Sequence, residues 1–336
     1  MIRIIMDAFG GDNAPAAVVA GAALALNRFN DITITLCGRE DAVRAELQKH
    51  SFDAQRMAVL DASEVIDCHE APTLAIKRKK DSSLVKSLAA VANGEADCVV
   101  SAGSTGALLT GATLIVRRIK GVKRPALAPL LPTVTGGRAL LIDSGANTDC
   151  KPVYLQQFAL MGAAYMACVQ GVENPRVGLL SNGAEAEKGN ALTRAAHALL
   201  LETPVRFTGN CEAREALMGG VDVLVCDGFD GNVLLKGIEG AVAAMMAMLR
   251  EGLGASLRTK AGAALSRPAF RALKHALDYT EHGGAPLLGV RGGVIKAHGS
   301  SGARAFANAI LQAERLAAGG VTERIAAALS ALPAED

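Results

Sequence analysis

A chain of 336 residues is long enough to bury a large core, as one big domain or as two intimately joined lobes. Half of the residues are hydrophobic, yet only 3% are aromatic and Trp is absent, so the core has to be Ala, Leu and Val in closely packed helix-on-sheet layers. Few aromatics argue against single-stranded nucleic-acid binding, and a net charge of +2 is too small for a general polyanion partner, so no nucleic-acid partner is expected.

Ile2–Met6 predicts a strand that runs into Asp7-Ala8-Phe9-Gly10-Gly11-Asp12-Asn13, with a helix from about Pro15. Val18–Phe29 reads as an amphipathic helix, Ile32–Leu36 as a strand, Asp41–His50 as a charged surface helix and Met57–Leu60 as a short strand. Asp67–Asp81 is polar and carries Lys77-Arg78-Lys79-Lys80, either a solvated face or a place that meets an acidic partner. Ser82–Asn93 predicts a helix that feeds the strand Cys98–Val100 and the loop Ser101-Ala102-Gly103-Ser104-Thr105-Gly106. Arg124-Pro125-Ala126 turns into another strand; Arg124 either reaches a cleft or makes an ordinary surface ion pair. Ala139–Ile142 leads into Asp143-Ser144-Gly145-Ala146-Asn147-Thr148, then Lys151-Pro152 and a helix. Val177–Leu180 leads into Ser181-Asn182-Gly183, with Lys188-Gly189-Asn190 beyond, a helix over Lys188–Leu201 and a strand at Val205–Phe207.

Val221–Val225 predicts a buried strand, Asp227-Gly228-Phe229-Asp230-Gly231-Asn232 a polar glycine-rich turn, and Val233 onwards a helix with Lys236 one turn inside. Such a junction gathers free N–H groups and the positive end of a helix dipole, where an anion can bind. Gly240–Asp278 differs: Met245, Met246, Met248, Leu249, Leu253 and Leu257 make an adaptable apolar surface. Phe270, Leu273 and Leu277 share a helical face, with Arg271, Lys274 and Asp278 elsewhere. Six basic residues stand against one acidic residue between Arg250 and Lys274, a net of +5. A basic amphipathic pair over 240–282 suits an anionic membrane surface, a dimer contact, or both, and its methionines suit a long acyl chain. Val294–Ile295 closes the series with Lys296-Ala297-His298-Gly299-Ser300-Ser301-Gly302 and a last helix.

Six strand–loop–helix junctions thus carry Asp, Asn, Ser, Lys or His. Ligands of parallel α/β sheets sit beyond the carboxyl ends of the strands, so these loops are expected to converge on one cleft. Two charge-free stretches, Pro152–Val172 and Cys98–Val116, read as buried soluble structure rather than membrane spans, and the short apolar run after Met1 is not a signal peptide. The seven cysteines form no CxxC pair, so neither zinc knuckle nor disulfide framework is indicated, and reduced thiols fit a cytoplasmic protein. There is no GxxxxGK[ST], no GxGxxG at a strand–helix junction, no HExxH and no GxSxG. No nucleotide, metal or cofactor is expected, and no obvious nucleophile remains. Each single loop residue also has a plain alternative as a helix cap or loop hydrogen bond.

In this light the sequence resembles the bacterial phosphate acyltransferases of phospholipid synthesis, which act as fatty acyl-acyl-carrier-protein:phosphate transacylases. The motifs that carry the likeness run in order from Asp7 to about Ala309: Gly10-Gly11-Asp12 with Ala14-Pro15, Ser101-Ala102-Gly103 with Thr105-Gly106-Ala107, and Gly145-Ala146-Asn147 with Lys151-Pro152. They continue with Lys188-Gly189-Asn190, Asp227-Gly228-Phe229 with Gly231-Asn232-Val233 and Lys236, Gly283–Gly289, and Lys296-Ala297-His298-Gly299-Ser300-Ser301. Two residues depart from the family pattern: Phe9 stands where Met is usual, and Ser104 where Asn is usual. The resemblance implies a three-layer α/β/α fold with a mostly parallel sheet, similar to isocitrate and isopropylmalate dehydrogenases and phosphotransacetylases, with the helical pair projecting. It also implies a cytoplasmic homodimer, peripherally membrane-associated, whose partners are acyl carrier protein, inorganic phosphate and a membrane glycerol-3-phosphate acyltransferase.

The residues fit that chemistry. A phosphate dianion is already a nucleophile and a thiol of pKa ~8.5 is a tolerable leaving group, so positioning and electrostatics can suffice. Phosphate is expected at Ser101–Gly106, Asn232 and Lys236, and Ser300–Ser301; Lys296 or His298 would stabilise the thioester oxyanion, and His298 would protonate the thiolate. Asp7 and Asp12 would orient loops or cations, and Asn147, Lys151, Asn182, Lys188 and Asp227 complete the candidate loops. A phosphotransacetylase-like enzyme using acyl-coenzyme A, a membrane-seated phosphate- or lipid-binding scaffold without activity, and a dehydrogenase remain as alternatives.

Overall fold

A computed structural model describes residues 1–277 and 283–332. Among the described residues, twelve strands form two sheets. The larger is built from β1 (Ile2–Asp7), β2 (Ile32–Gly38), β3 (Met57–Asp61), β4 (Cys98–Ser101) and β5 (Ala126–Leu127), joined by the late strands β11 (Ala285–Leu288) and β12 (Gly293–Lys296). The smaller uses β6 (Leu130–Pro132), β7 (Arg138–Ile142), β8 (Arg176–Leu180), β9 (Arg206–Cys211) and β10 (Val223–Val225). The orders are β3-β2-β1-β4-β12-β11-β5 and β6-β7-β10-β8-β9. Pairing is parallel from β3 to β12 and from β7 to β9; β11, β5 and β6 add antiparallel edges. The fold is therefore a mostly parallel α/β architecture with flanking helices and a projecting helical pair.

Central strands such as CVVS in β4 and VLV in β10 are buried at every position, as expected where helices cover both faces. One buried cluster joins the two sheets, with Ile4, Val100 and Ile295 from the larger and Leu140, Val177 and Val223 from the smaller. Ala, Leu, Val and Ile fill it, and the scarce aromatics Tyr165, Phe158 and Phe306 are its largest fully buried side chains. Pro152–Gln170 is a core helix, and its glutamines are satisfied: Gln157 Oε1 accepts the Lys123 N–H at 2.8 Å and Gln156 donates to the Leu199 carbonyl at 3.3 Å. Cys98–Val116 is likewise β4 and the helix behind it. All seven cysteines are free, four of them buried.

Two sequence expectations need correction. The first helix spans Ala16–Leu26 and is not amphipathic. Its buried residues occur all round, because it is enclosed between the sheet and helix Ala303–Ala318, and a side chain on Gly21 would collide with Phe306. The polar stretch after β10 is not a turn. Asp227 caps a helix directly, accepting the Asp230 N–H at 2.8 Å, and that helix runs unbroken over Gly228–Gly254.

At 27 residues this helix is about 40 Å long. Only Gly228 and Gly231 are fully buried; Leu234, Leu235 and Ile238 pack on the core of the smaller sheet, and the rest projects and folds back through Leu257–Leu265 and Arg267–Leu277. Met245, Met248, Leu257 and Leu265 are exposed, while Met246, Leu249, Leu253 and Phe270 are half-buried against the arm itself. Length and composition alone would let Gly228–Gly254 cross a membrane. Asp278 and the rest of the expected 240–282 arm beyond Leu277 lie outside the described residues, as do the side chains of Lys274 and Leu277.

Candidate active site

The loops after β1, β4 and β12 meet tightly enough to require glycine. A Cβ on Gly10 would sit 2.6 Å from Asp7 Oδ2 and 2.7 Å from the Gly103 nitrogen. Gly11, at φ +99°, would bring one to 2.9 Å from both Ala102 Cβ and the Gly299 carbonyl. Asp12 N–H donates to that carbonyl at 2.8 Å, and Asn13 donates to the Ser300 and Ser301 carbonyls at 3.2 and 3.3 Å. Asp7 is the hub beneath them. It is 3% exposed and accepts hydroxyls from Ser83 at 2.6 Å and Ser101 at 2.7 Å. Burial pushes its carboxyl above the ordinary carboxylate range, opposed by those two hydroxyls.

The loops after β7 and β10 form a second group around Asp143. This fully buried carboxylate accepts N–H groups of Leu127, Ala146 and Asn147, and the Asn147 side chain as well, at 2.7 to 3.2 Å. Burial raises it to about 6 despite these donors. The capped helix enters here. Gly228 N–H donates to the Asn147 carbonyl at 2.7 Å, and a Cβ on Gly231 would strike the Asp143 carbonyl. Asn232 is exposed on the next position and its side chain faces Gly145.

Lys236 stands further along the same helix. It lies one turn beyond Asn232 on the same face, pairs with Glu239 at 2.7 Å, and its charge reaches both Lys296 and His298. Lys296, at the end of β12, donates to the Ala102 and Ala297 carbonyls. Burial, with Lys236 adding like-charge repulsion, lowers it to about 8, while Cys68, Asp7 and Asp12 act in the other direction. His298 is exposed and also lowered, by partial burial first and then by Lys236. Its Nδ1 accepts the Ser300 N–H at 3.3 Å and lies 2.8 Å from Ser300 Oγ.

Several expected ligands have structural duties. Ser101 is buried and spent on Asp7 and on the Gly103 N–H; Ser104 caps its helix through Ala107 N–H at 3.4 Å, as the usual Asn would; Asp227 is a cap. Ser301 is buried, whereas Thr105 and Ser300 are exposed on the rim, and Gly106 packs against Pro72. Phe9 is turned away, its ring under Arg39 at 4.8 Å, so that departure from the family pattern faces β2 rather than the cleft. Lys151 stands exposed at the start of helix Pro152–Gln170. Asn182 and Lys188 lie beyond β8, and no hydrogen bond or ion pair among the described residues ties them to either group. Nothing in the sequence pointed to Cys68, near enough to influence Lys296, or to Asp143 as a hub; a lone Cys in a polar loop carries no spacing signal, and Asp143 differed from the other loop aspartates only by ending a wholly apolar strand. Of the basic run, Lys77, Arg78 and Lys80 are exposed, while Lys79 pairs with Glu70 at 2.6 Å.

Known proteins place this arrangement. The family described as "Fatty acid synthesis protein" matches residues 2–324. The chain is 51% identical over 315 residues to a phosphate acyltransferase of Clostridium perfringens, covering 94% of this chain and 93% of that one. It is 47% identical over 329 residues to a phosphate acyltransferase of Clostridium acetobutylicum, covering 98% and 99%. Among solved structures, a phosphotransacetylase from Streptococcus pyogenes superposes with a TM-score of 0.64 at 17% identity over 94% of both chains. A putative 4-hydroxythreonine-4-phosphate dehydrogenase from Salmonella typhimurium gives 0.55 at 12% identity, over 94% of this chain and 99% of that one, and both show a shared fold. With half its residues shared with such relatives from end to end, the chain belongs to the phosphate acyltransferase family.

Proposed function

We propose that this acyltransferase moves a fatty acyl group from the thioester of acyl carrier protein to inorganic phosphate, releasing acyl phosphate and the free carrier thiol. The observation that carries the reading is the tight meeting of the loops after β1, β4 and β12 at Gly10 and Gly11, which brings Lys296 and His298 to one place, with Lys236 in electrostatic range of both. Cations gathered there can hold a dianion and receive a developing oxyanion. A phosphate oxygen attacks the thioester carbon; the C–O bond forms, the carbonyl electrons go to oxygen and are held by Lys296 and His298. Collapse then breaks the C–S bond and expels the thiolate, which takes its proton from solvent. A leaving group of pKa ~8.5 needs little help from an acid catalyst.

The exposed methionine and leucine residues of the arm, with its six basic residues, support seating on an anionic membrane surface, pairing with a second copy, or both. In this proposal a cytoplasmic homodimer delivers its acyl phosphate to a membrane glycerol-3-phosphate acyltransferase. The decisive assay is phosphate-dependent thiol release from purified acyl-acyl carrier protein, with acyl-coenzyme A in parallel. Release from the carrier thioester supports the reading. Release from acyl-coenzyme A alone indicates a phosphotransacetylase-like enzyme, and none from either leaves a binding scaffold.

A further inference from the structure

A cavity of about 410 Å³ opens between the two sheets' loop groups. One wall is the helix capped by Ser104, through Leu109 and Thr113; the opposite wall is Tyr154 and Asn147. Its mouth is Arg118, Lys123 and Arg124, all exposed. They belong to Arg117–Arg124, RRIKGVKR, which has five cations in eight residues and no carboxylate. The segment is held in shape. Arg117 has φ 72°, a conformation L residues rarely adopt, fixed by its N–H on the Ala112 carbonyl at 2.9 Å and its carbonyl under the Arg291 N–H at 3.0 Å. Arg118 donates to the Lys123 carbonyl, and the Arg124 guanidinium lies 5.9 Å from the Tyr154 ring centre. At the inner end, the Asn147 carbonyl holds Gly228, the first residue of the helix that carries Asn232 and Lys236.

We propose that this cavity receives the prosthetic arm of the acyl donor, with Arg118, Lys123 and Arg124 binding the phosphodiester that joins the arm to its carrier protein. The inference rests on the acyl-carrier reading above and names a subsite for it. A free phosphate would occupy only the mouth. Behind the cations the lining is hydroxyl, amide, aromatic and aliphatic, which matches an extended amide-bearing chain and not a second small anion. Asn147 in the lining holds Gly228, so a chain lying in the cavity reaches the start of the helix that bears Asn232 and Lys236. An arginine fork over an aromatic ring is also suited to a phosphodiester, which it can grip by two N–H donors at once.

The test compares wild type, Arg124→Ala and Arg124→Lys, with Arg118→Ala as a second removal. Binding is measured to holo carrier protein and to apo carrier protein, which lacks the arm. Wild type is expected to favour the holo form by about tenfold, Arg124→Ala and Arg118→Ala to lose most of that ratio, and Arg124→Lys, which keeps the charge but not the fork, to fall between wild type and Arg124→Ala. In turnover, Arg124→Ala is expected to raise KM for the acyl carrier by about tenfold and to leave both KM for inorganic phosphate and the rate on an acyl N-acetylcysteamine thioester, which has no phosphodiester, within about twofold. Equal wild-type affinity for holo and apo carrier overturns the proposal. So does a rise in KM for inorganic phosphate, or an equal loss on both thioesters. If wild type releases thiol from neither thioester, the acyl-transfer reading fails, while the holo–apo comparison still decides the cavity.

Discussion

Helices Pro152–Gln170 and Gly228–Gly254 are both long and apolar, yet they have opposite fates. The first buries eleven of its nineteen residues against β7, β10 and neighbouring helices; the second buries two glycines in its first turn, lays Leu234, Leu235 and Ile238 on the core of the smaller sheet and then leaves the body. Composition therefore does not decide burial. What decides it is whether a neighbouring layer exists to receive the apolar face, and past Ile238 none does: a Cβ on Gly240 or Gly252 would meet nothing within 4 Å. The same helix is thus a packed site element at one end and an unpartnered arm at the other, so the arm and the Asn232–Lys236 face move as one rod.

That contrast can be broken at graded cost. Lys296→Met, in the packed site, is expected to lower kcat by about 10²–10³, roughly 3–4 kcal/mol of transition-state stabilisation, with the melting temperature little changed. Activity that survived would remove the oxyanion role. The same residue sets a pH signature. Because burial lowers Lys296 to about 8, its charge is present below that pH and lost above it, so kcat should decline as pH rises through about 8. Lys296→Arg keeps its charge and should move that alkaline limb upward by more than one unit.

Glycines along the one helix should answer with opposite signs. Gly231→Val drives a side chain into the Asp143 carbonyl and is expected to cost about 3 kcal/mol in urea unfolding, with the site lost as well. Gly237→Ala, by contrast, adds a helix-favouring Cβ in open space and should stabilise by about 0.5–1 kcal/mol. If both substitutions destabilised equally, the helix would not be free beyond its first turns. The smallest effect on folding belongs to the arm. Met245→Glu with Met248→Glu should change stability by less than about 0.5 kcal/mol, since both side chains are exposed. The pair should nevertheless abolish co-sedimentation with anionic vesicles or shift the chain to monomer in sedimentation velocity. Retention of both properties would leave the arm without the proposed role.

The sequence determined the strands and most of the loops. Apolar runs such as Ala139–Ile142 and Val221–Val225 can hardly be anything but buried strands, and the polar glycine clusters after them mark strand ends by chemistry alone. It also singled out Lys236, Lys296 and His298 as candidates, because charged residues beside glycines at such ends have few structural reasons to be there. Only the tertiary structure decided which loops meet. It split six junctions between two sheets, left Asn182 and Lys188 apart, and committed Ser101, Ser104 and Asp227 to holding loops and capping helices. It also made Asp143 a hub and turned an expected loop at Asp227–Asn232 into the start of a helix. The physical reason is that strand formation depends on near neighbours in the chain, whereas convergence depends on sheet order and on where backbone can approach backbone. The glycines at 10, 11, 228 and 231 mark those approaches, but a glycine in a sequence looks the same whether it serves a turn or a contact.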